Sequence, residues 1–351
     1  MASEMESLID KVKATEYWNM SRDELLERFK RERFLLWSER YFFMLGDLLQ
    51  RVLVSSAHLD HVREHPYECL VYSQTKRFKR YAFALFRLII KDGYSFTVCN
   101  DGAFTVLKAL FELTIEARMV PAFLTTFGDT PERRRELTQR VLDFTDVHKK
   151  KANFKFKFIT VPLPDEIKPE SMKREEERSK AECKALISAA AGRLGEKSAW
   201  DVKHWFPTKG PDGRPIIKES HSKGNADFGS VRWRCEDVLA CLSSTAVERK
   251  LWSTEYVSLY EMLNTYSHPV LGYDDCLRNE KERLFDYFMT SVGIVKPLHE
   301  LVLPSVLRDL HADESILACK QTLDVLYDRM LFLCTVYSIC IQRKDRAGFN
   351  A

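Results

Sequence analysis

Apolar side chains recur at three- and four-residue intervals along most of the chain, the periodicity of helices with one buried stripe. Ser21-Arg22-Asp23-Glu24 reads as a capping box, with Ser21 able to cap the Glu24 amide and Glu24 able to reach back. One long helix is expected from there to about Val54, with Leu25, Leu26, Phe29, Leu36 and Trp37 on its apolar side. A second is predicted over about Ser73 to Lys91, stopped by Gly93. A third starts near Asp101 and carries Phe104, Leu107, Leu110, Phe111 and Ile115, with Pro121 kinking or ending it before Gly128. Thr130-Pro131 is an N-cap followed by proline at the first helical position, and opens a helix to about Lys150.

The periodicity then lapses twice. Residues 149–169 combine Lys149-Lys150-Lys151 and Phe154-Lys155-Phe156-Lys157-Phe158 with Pro162, Pro164 and Pro169, and read as a linker or extended excursion. A charged helix resumes near Glu170 and ends by Gly192 or Gly195. Pro207–Gly229 is rich in Gly and Pro without a period, a length at which loops are usually functional or mobile. Helices return over about residues 230–243, 246–267, 275–296 and 314–343. The expected class is all-α, a bundle of about eight to ten helices with two long irregular connections. In chain order this gives an N-terminal helical part (1–148), an insert with one charged helix (149–229) and a C-terminal helical part (230–351), sharing one body.

Composition agrees. The 351 residues are 45% hydrophobic and 30% charged, too apolar for a disordered chain and too charged for a membrane bundle. Only 13 Gly and 12 Pro leave little room for the turns of an all-β fold. A net charge of +3 sets up no global basic field, so any nucleic-acid site must be a local patch. Nine cysteines, an odd number without Cys-x-x-Cys, lie mostly in apolar periodic segments and read as reduced structural thiols. With no signal-peptide pattern at the N-terminus and no full-length apolar span, the expected location is cytoplasmic.

Tyr256, Tyr260, Asn264 and His268 recur every four residues and share one helical stripe. Such a stripe suits either a polar site with His268 as acid or base, or packed tyrosines with His268 at a helix end. Glu112, Glu116 and Arg118 sit among apolar residues, as a core ion pair or as part of the same polar site. Lys149, Lys150, Lys151, Phe154, Lys155, Phe156 and Lys157 have the basic–aromatic mixture of a nucleic-acid strip, and also of a docked structural segment. His58, His61 and His65 share a face, but nothing nearby completes a metal site, so no metal is assigned. Trp200, Trp205, Trp233 and Trp252 flank the 207–229 stretch and suit packing around it. Gly-rich phosphate loops, Gly-x-Ser-x-Gly elbows and His-Glu-x-x-His are all lacking, and no cofactor is expected.

Three segments together resemble a bacterial all-helical family known only as a domain of unknown function. They are Ala103–Met119, Lys203-His204-Trp205, and Val231–Val270 with its Tyr256…Tyr260…Ser267-His268-Pro269 ending. Lys108 stands where the family has Arg. The resemblance implies a helical fold and gene neighbourhoods tied to mobile elements, without an activity. The Asn264-x-x-x-His268 spacing is similar to the motif of HEPN proteins, many of them ribonucleases of toxin and antiviral systems, except that Leu263 occupies the place of their Arg. That likeness implies His268 acting at a 2′-OH, Asn264 and Tyr260 orienting, and Lys108 or Arg118 supplying the missing cation. Two expectations follow. One is an interaction protein, an accessory or effector of a defence or toxin-type system, with a protein partner or a second copy. The other is a HEPN-like ribonuclease or RNA-binding protein. A membrane partner is not expected.

Overall fold

The computed structural model describes residues 9–31, 34–61, 66–92, 95–98, 100–154, 168–193, 209, 213, 234–243, 245–267 and 280–349. Its helices are α1 (Arg22–Arg31), α2 (Leu35–Ser55), α3 (Pro66–Leu88), α4 (Asn100–Phe127), α5 (Pro131–Phe154), α6 (Glu170–Arg193), α7 (Tyr256–Ser267), α8 (Glu280–Pro297), α9 (Leu303–Asp309) and α10 (Glu314–Phe349). Short helical pieces cover Ala240–Leu242 and Ala246–Lys250. π-Helical turns occupy Arg234–Leu239, Leu251–Glu255 and Leu298–Val302. Among the described residues the fold is all-α apart from one strand pair, β1 (Ile89–Asp92) and β2 (Ser95–Val98), antiparallel with Ile89 opposite Val98 and Asp92 opposite Ser95.

Local signals place several helix starts. Ser21 and Glu24 form the reciprocal box: the Ser21 amide donates to Glu24 Oε2 at 2.7 Å and the Glu24 amide to Ser21 Oγ at 3.2 Å. Thr130 caps α5 through the Arg133 amide at 3.1 Å, and α6 begins at Glu170 as expected.

Other expectations need correction. The helix expected from Ser21 to Val54 is two helices, α1 and α2, because Phe34 and Leu35 turn into an aromatic core. Residues 89–91 are strand, where β-branched Ile89 and Ile90 suit pleated backbone better than the last turn of a helix. Pro121 does not end α4, which continues to Phe127 and stops at Gly128 as expected. Lys149–Phe154 is helical, the end of α5, and not an extended strip. Residues 298–309, to which the sequence assigned no element, form a π turn and α9.

Two compact units emerge. The first comprises residues 1–61, 71–114 and 258–351, and so brings the N- and C-terminal helices together. Here α2 packs along α10, and α8 packs against both α1 and α10. Phe29 is the hub, with its ring 5.3–5.8 Å from those of Phe34, Phe285, Phe288 and Tyr337. Such edge-on clusters bury large apolar area and add about 0.5–1.5 kcal/mol per pair beyond that burial. Gly46 allows α3 close to α2: a Cβ there would meet the Phe83 ring at 2.8 Å. The second unit comprises residues 62–70 and 115–257. In it α5 packs on α6, and Met119, Phe123, Leu137, Cys235, Val238 and Trp252 are buried.

Candidate functional site

Helix α4 carries Lys108 and Glu112 one turn apart, and both meet Tyr260 of α7. The Tyr260 hydroxyl donates to Glu112 Oε1 at 3.1 Å. The Lys108 ammonium lies 5.6 Å from the centre of the Tyr260 ring. A cation at a ring face is attracted by the ring quadrupole, so carboxylate, phenol and ammonium form one half-buried polar cluster. Asn264, one turn further along α7, is half-buried. Leu263 is fully buried, so the position that carries Arg in HEPN proteins is core. His268 lies outside the described residues, as do Lys155, Phe156 and Lys157; for Lys149, Lys150, Lys151 and Phe154 only the helical backbone is described.

Arg118 and Tyr256 belong to the second unit, where each has a structural partner. Arg118 Nη2 donates to Glu248 Oε1 at 2.9 Å, with the two side chains 27% and 16% exposed. Trp252 Nε1 approaches the same carboxylate oxygen at 3.4 Å. Thr245 caps the short helix that presents Glu248, and the π turn Leu251–Glu255 follows directly. Tyr256 is buried edge-on against Trp252, ring centres 4.7 Å apart. Arg118 is therefore the cation of a core ion pair, whereas Lys108, Glu112 and Tyr260 do come together.

A larger polar constellation is centred on His299, in the π turn Leu298–Val302 of the first unit. Its Nε2 lies 2.9 Å from Asp324 Oδ1, and its Nδ1 lies 3.1 Å from the Tyr41 hydroxyl. A neutral imidazole has one donor and one acceptor. The carboxylate can only accept, so Nε2 carries the proton and Nδ1 accepts from Tyr41. Burial raises the Tyr41 phenol well above its ordinary range, and the Asp324 charge raises it further, which keeps this donor protonated. Burial also lowers His299 and outweighs the opposing pull of Asp324, so the ring is neutral near pH 7. The ring stacks on Tyr327 at 4.1 Å between centres, and Tyr327 reaches Glu300 Oε1 at 2.5 Å. Lys320 closes the chain, with Nζ 2.8 Å from both Asp324 oxygens.

Sequence reasoning passed over this network. His299 sits in an apolar run between Pro297 and Pro304, and its partners come from α2 and α10, far away in the chain. The one local signal was Lys320 and Asp324 at i, i+4. Tyr41, His299, Asp324 and Lys320 could relay a proton or hold a fixed dipole, but His299 itself is 6% exposed and has no open face for a substrate. Among the described residues no group of His, Cys, Asp and Glu could hold a metal ion, and no helix is long and apolar enough to cross a membrane. Comparison with protein-family models, characterised proteins and solved structures finds no match.

Proposed function

We propose that this chain is a helical interaction protein that works as a pair of identical copies joined through α10. The observation that carries this reading is a heptad stripe on the outer side of α10. Ala318, Val325, Phe332 and Ile339 follow one another at seven-residue intervals, with Val325 67% and Phe332 38% exposed. Coiled-coil seams carry two apolar positions per heptad; this narrower strip has one, flanked by Gln321, Thr322, Asp328 and Arg329, and offers a second copy a line of apolar contacts. Antiparallel pairing about Val325 sets small Ala318 opposite large Phe332 at both ends, which is the self-complementarity that a two-fold contact requires. It also lays the Asp328–Arg329 stretch of one copy over Gln321 and Thr322 of the other, away from like charges.

Cysteine substitution tests this directly. Val325→Cys at the two-fold centre should form an intermolecular disulfide under mild oxidation. Val54→Cys, equally exposed on α2 (65%), should not. Equal cross-linking by both, or by neither, contradicts the pairing. A place in a defence or toxin-type system rests on the family resemblance alone; a partner nuclease or ATPase encoded beside the gene would support it.

A second reading, action on RNA, is favoured by the Lys108–Tyr260–Glu112 cluster. Lys108 would steady phosphate charge, Tyr260 and Asn264 would orient, and His268 would handle the proton. Purified protein that neither binds nor cleaves RNA ends this reading. RNA cleavage that is lost in His268→Ala supports it.

A further inference from the structure

Between α9 and the start of α10 lies a cleft of about 520 Å³, within the range of small-molecule sites. Pro304, Leu307, Ala312 and Leu317 give it apolar walls, and its remaining lining residues are Arg308, His311 and Lys320. All three polar liners are basic residue types. Two of them are paired with carboxylates that do not line the cleft: Asp309 contacts Arg308 Nε at 2.9 Å, and Asp324 holds Lys320.

One feature of the backbone points at this wall. α9 ends in a Schellman turn, with the His311 amide on Arg308 O at 3.1 Å and the Ala312 amide on Leu307 O at 2.9 Å. That turn needs a left-handed residue, and glycine is the usual one. Here it is His311, at φ 52°, and it is the single non-glycine residue with positive φ among the described residues. His311 thus places a Cβ where the backbone makes one costly, and its side chain lines the cleft. The same two hydrogen bonds occupy helix-end carbonyls that would otherwise repel an anion.

We infer that this cleft binds a small organic monoanion, a carboxylate carried on an apolar body. Arg308, 71% exposed, meets the carboxylate at the rim. Lys320 has three N–H donors and shares two directions with the Asp324 oxygens, which leaves one for the ligand. The charge count decides between anions. Asp309 and Asp324 cancel the formal charge of Arg308 and Lys320, so recognition falls to the remaining N–H donors of the two cations, which suit one carboxylate better than a dianion. The apolar walls select a hydrocarbon body, so inorganic phosphate, dianionic and without one, fits poorly. The cleft borders the α10 seam, since Leu317 adjoins Ala318, so the titration is repeated on the Val325→Glu variant, which separates failure of the site from failure of the pairing.

Ligand-observed NMR titration of the full chain with hexanoate, hexan-1-ol, hexylamine and inorganic phosphate tests the inference. Hexanoate should bind saturably and at least about tenfold more tightly than the other three probes. Arg308→Ala should weaken hexanoate about tenfold. His311→Gly should also weaken it while raising Tm, because the strain at φ 52° is relieved. A histidine that served only as a helix cap would give the higher Tm with unchanged hexanoate binding, and that outcome overturns the inference. Hexan-1-ol binding as tightly as hexanoate overturns it too.

Discussion

Asp324 on α10 and Tyr41 on α2 address opposite nitrogens of one buried imidazole, His299, at 2.9 and 3.1 Å. The two longest packed helices of the first unit are thereby pinned to each other through a ring carried by neither. Removing the acceptor leaves the His299 Nε2 proton buried without a partner, a cost of about 1–3 kcal/mol. Asp324 is itself 36% exposed, so water can partly replace it, and Asp324→Ala should destabilise by about 1–2 kcal/mol in urea unfolding.

The same ring makes stability depend on pH in one direction. His299 has a folded-state pKa below its ordinary 6.5, so the unfolded chain binds the proton more readily. Its contribution is fully present above pH 6.5 and is lost as the pH falls from there through the lower folded-state value. Urea midpoints measured between pH 8 and pH 5 should decline for the wild type. The decline should be shallower in His299→Gln.

Arg118 and Glu248 join segments of the second unit that are 130 residues apart. Both side chains are mostly buried, and Arg118 Nε already lacks a partner. Glu248→Ala strips the guanidinium of its charge partner and Trp252 of its acceptor. A loss of about 1–3 kcal/mol is expected, discounted from the fully buried case for the remaining exposure. Denaturant unfolding followed by tryptophan fluorescence reports it.

Cys334 is a structural thiol on α10. Burial pushes its pKa up to about 11, against smaller opposing effects of Ser338 and Lys296. At pH 8 about one part in a thousand is thiolate. Mass-spectrometric mapping after brief alkylation should find Cys334 modified far more slowly in the folded chain than in urea.

Legibility followed range. Signals within four residues could be read from the sequence: the Ser21–Glu24 box, the Thr130 cap and the start of α6 at Glu170 all stand where residue type placed them. The helix that carries Tyr260 was also legible, since its period is local, and the structure brings Tyr260 together with Lys108 and Glu112, two candidates the sequence had offered without their geometry. Tertiary packing decided the rest. The break between α1 and α2 falls at Phe34, whose ring packs on Phe29 of α1 and on the distant Tyr337, and no local residue announces it. The strand at Ile89–Asp92 depends on a partner strand. For Arg118 the sequence leaves a core ion pair and a polar site both open, and the partner is Glu248, 130 residues away, which no local spacing indicates. His299 looked like one more residue in an apolar run, because its meaning comes from Tyr41 and Asp324, 258 residues away on one side and 25 on the other.

Pairing through α10 is the central claim, and sedimentation velocity over a hundredfold range of concentration tests it most directly. The wild-type chain should sediment as a dimer that dissociates on dilution, and Val325→Glu should remain a monomer throughout with unchanged helical circular dichroism. A wild-type chain that stays monomeric at the highest concentration, or a Val325→Glu variant that dimerises equally well, would contradict the account.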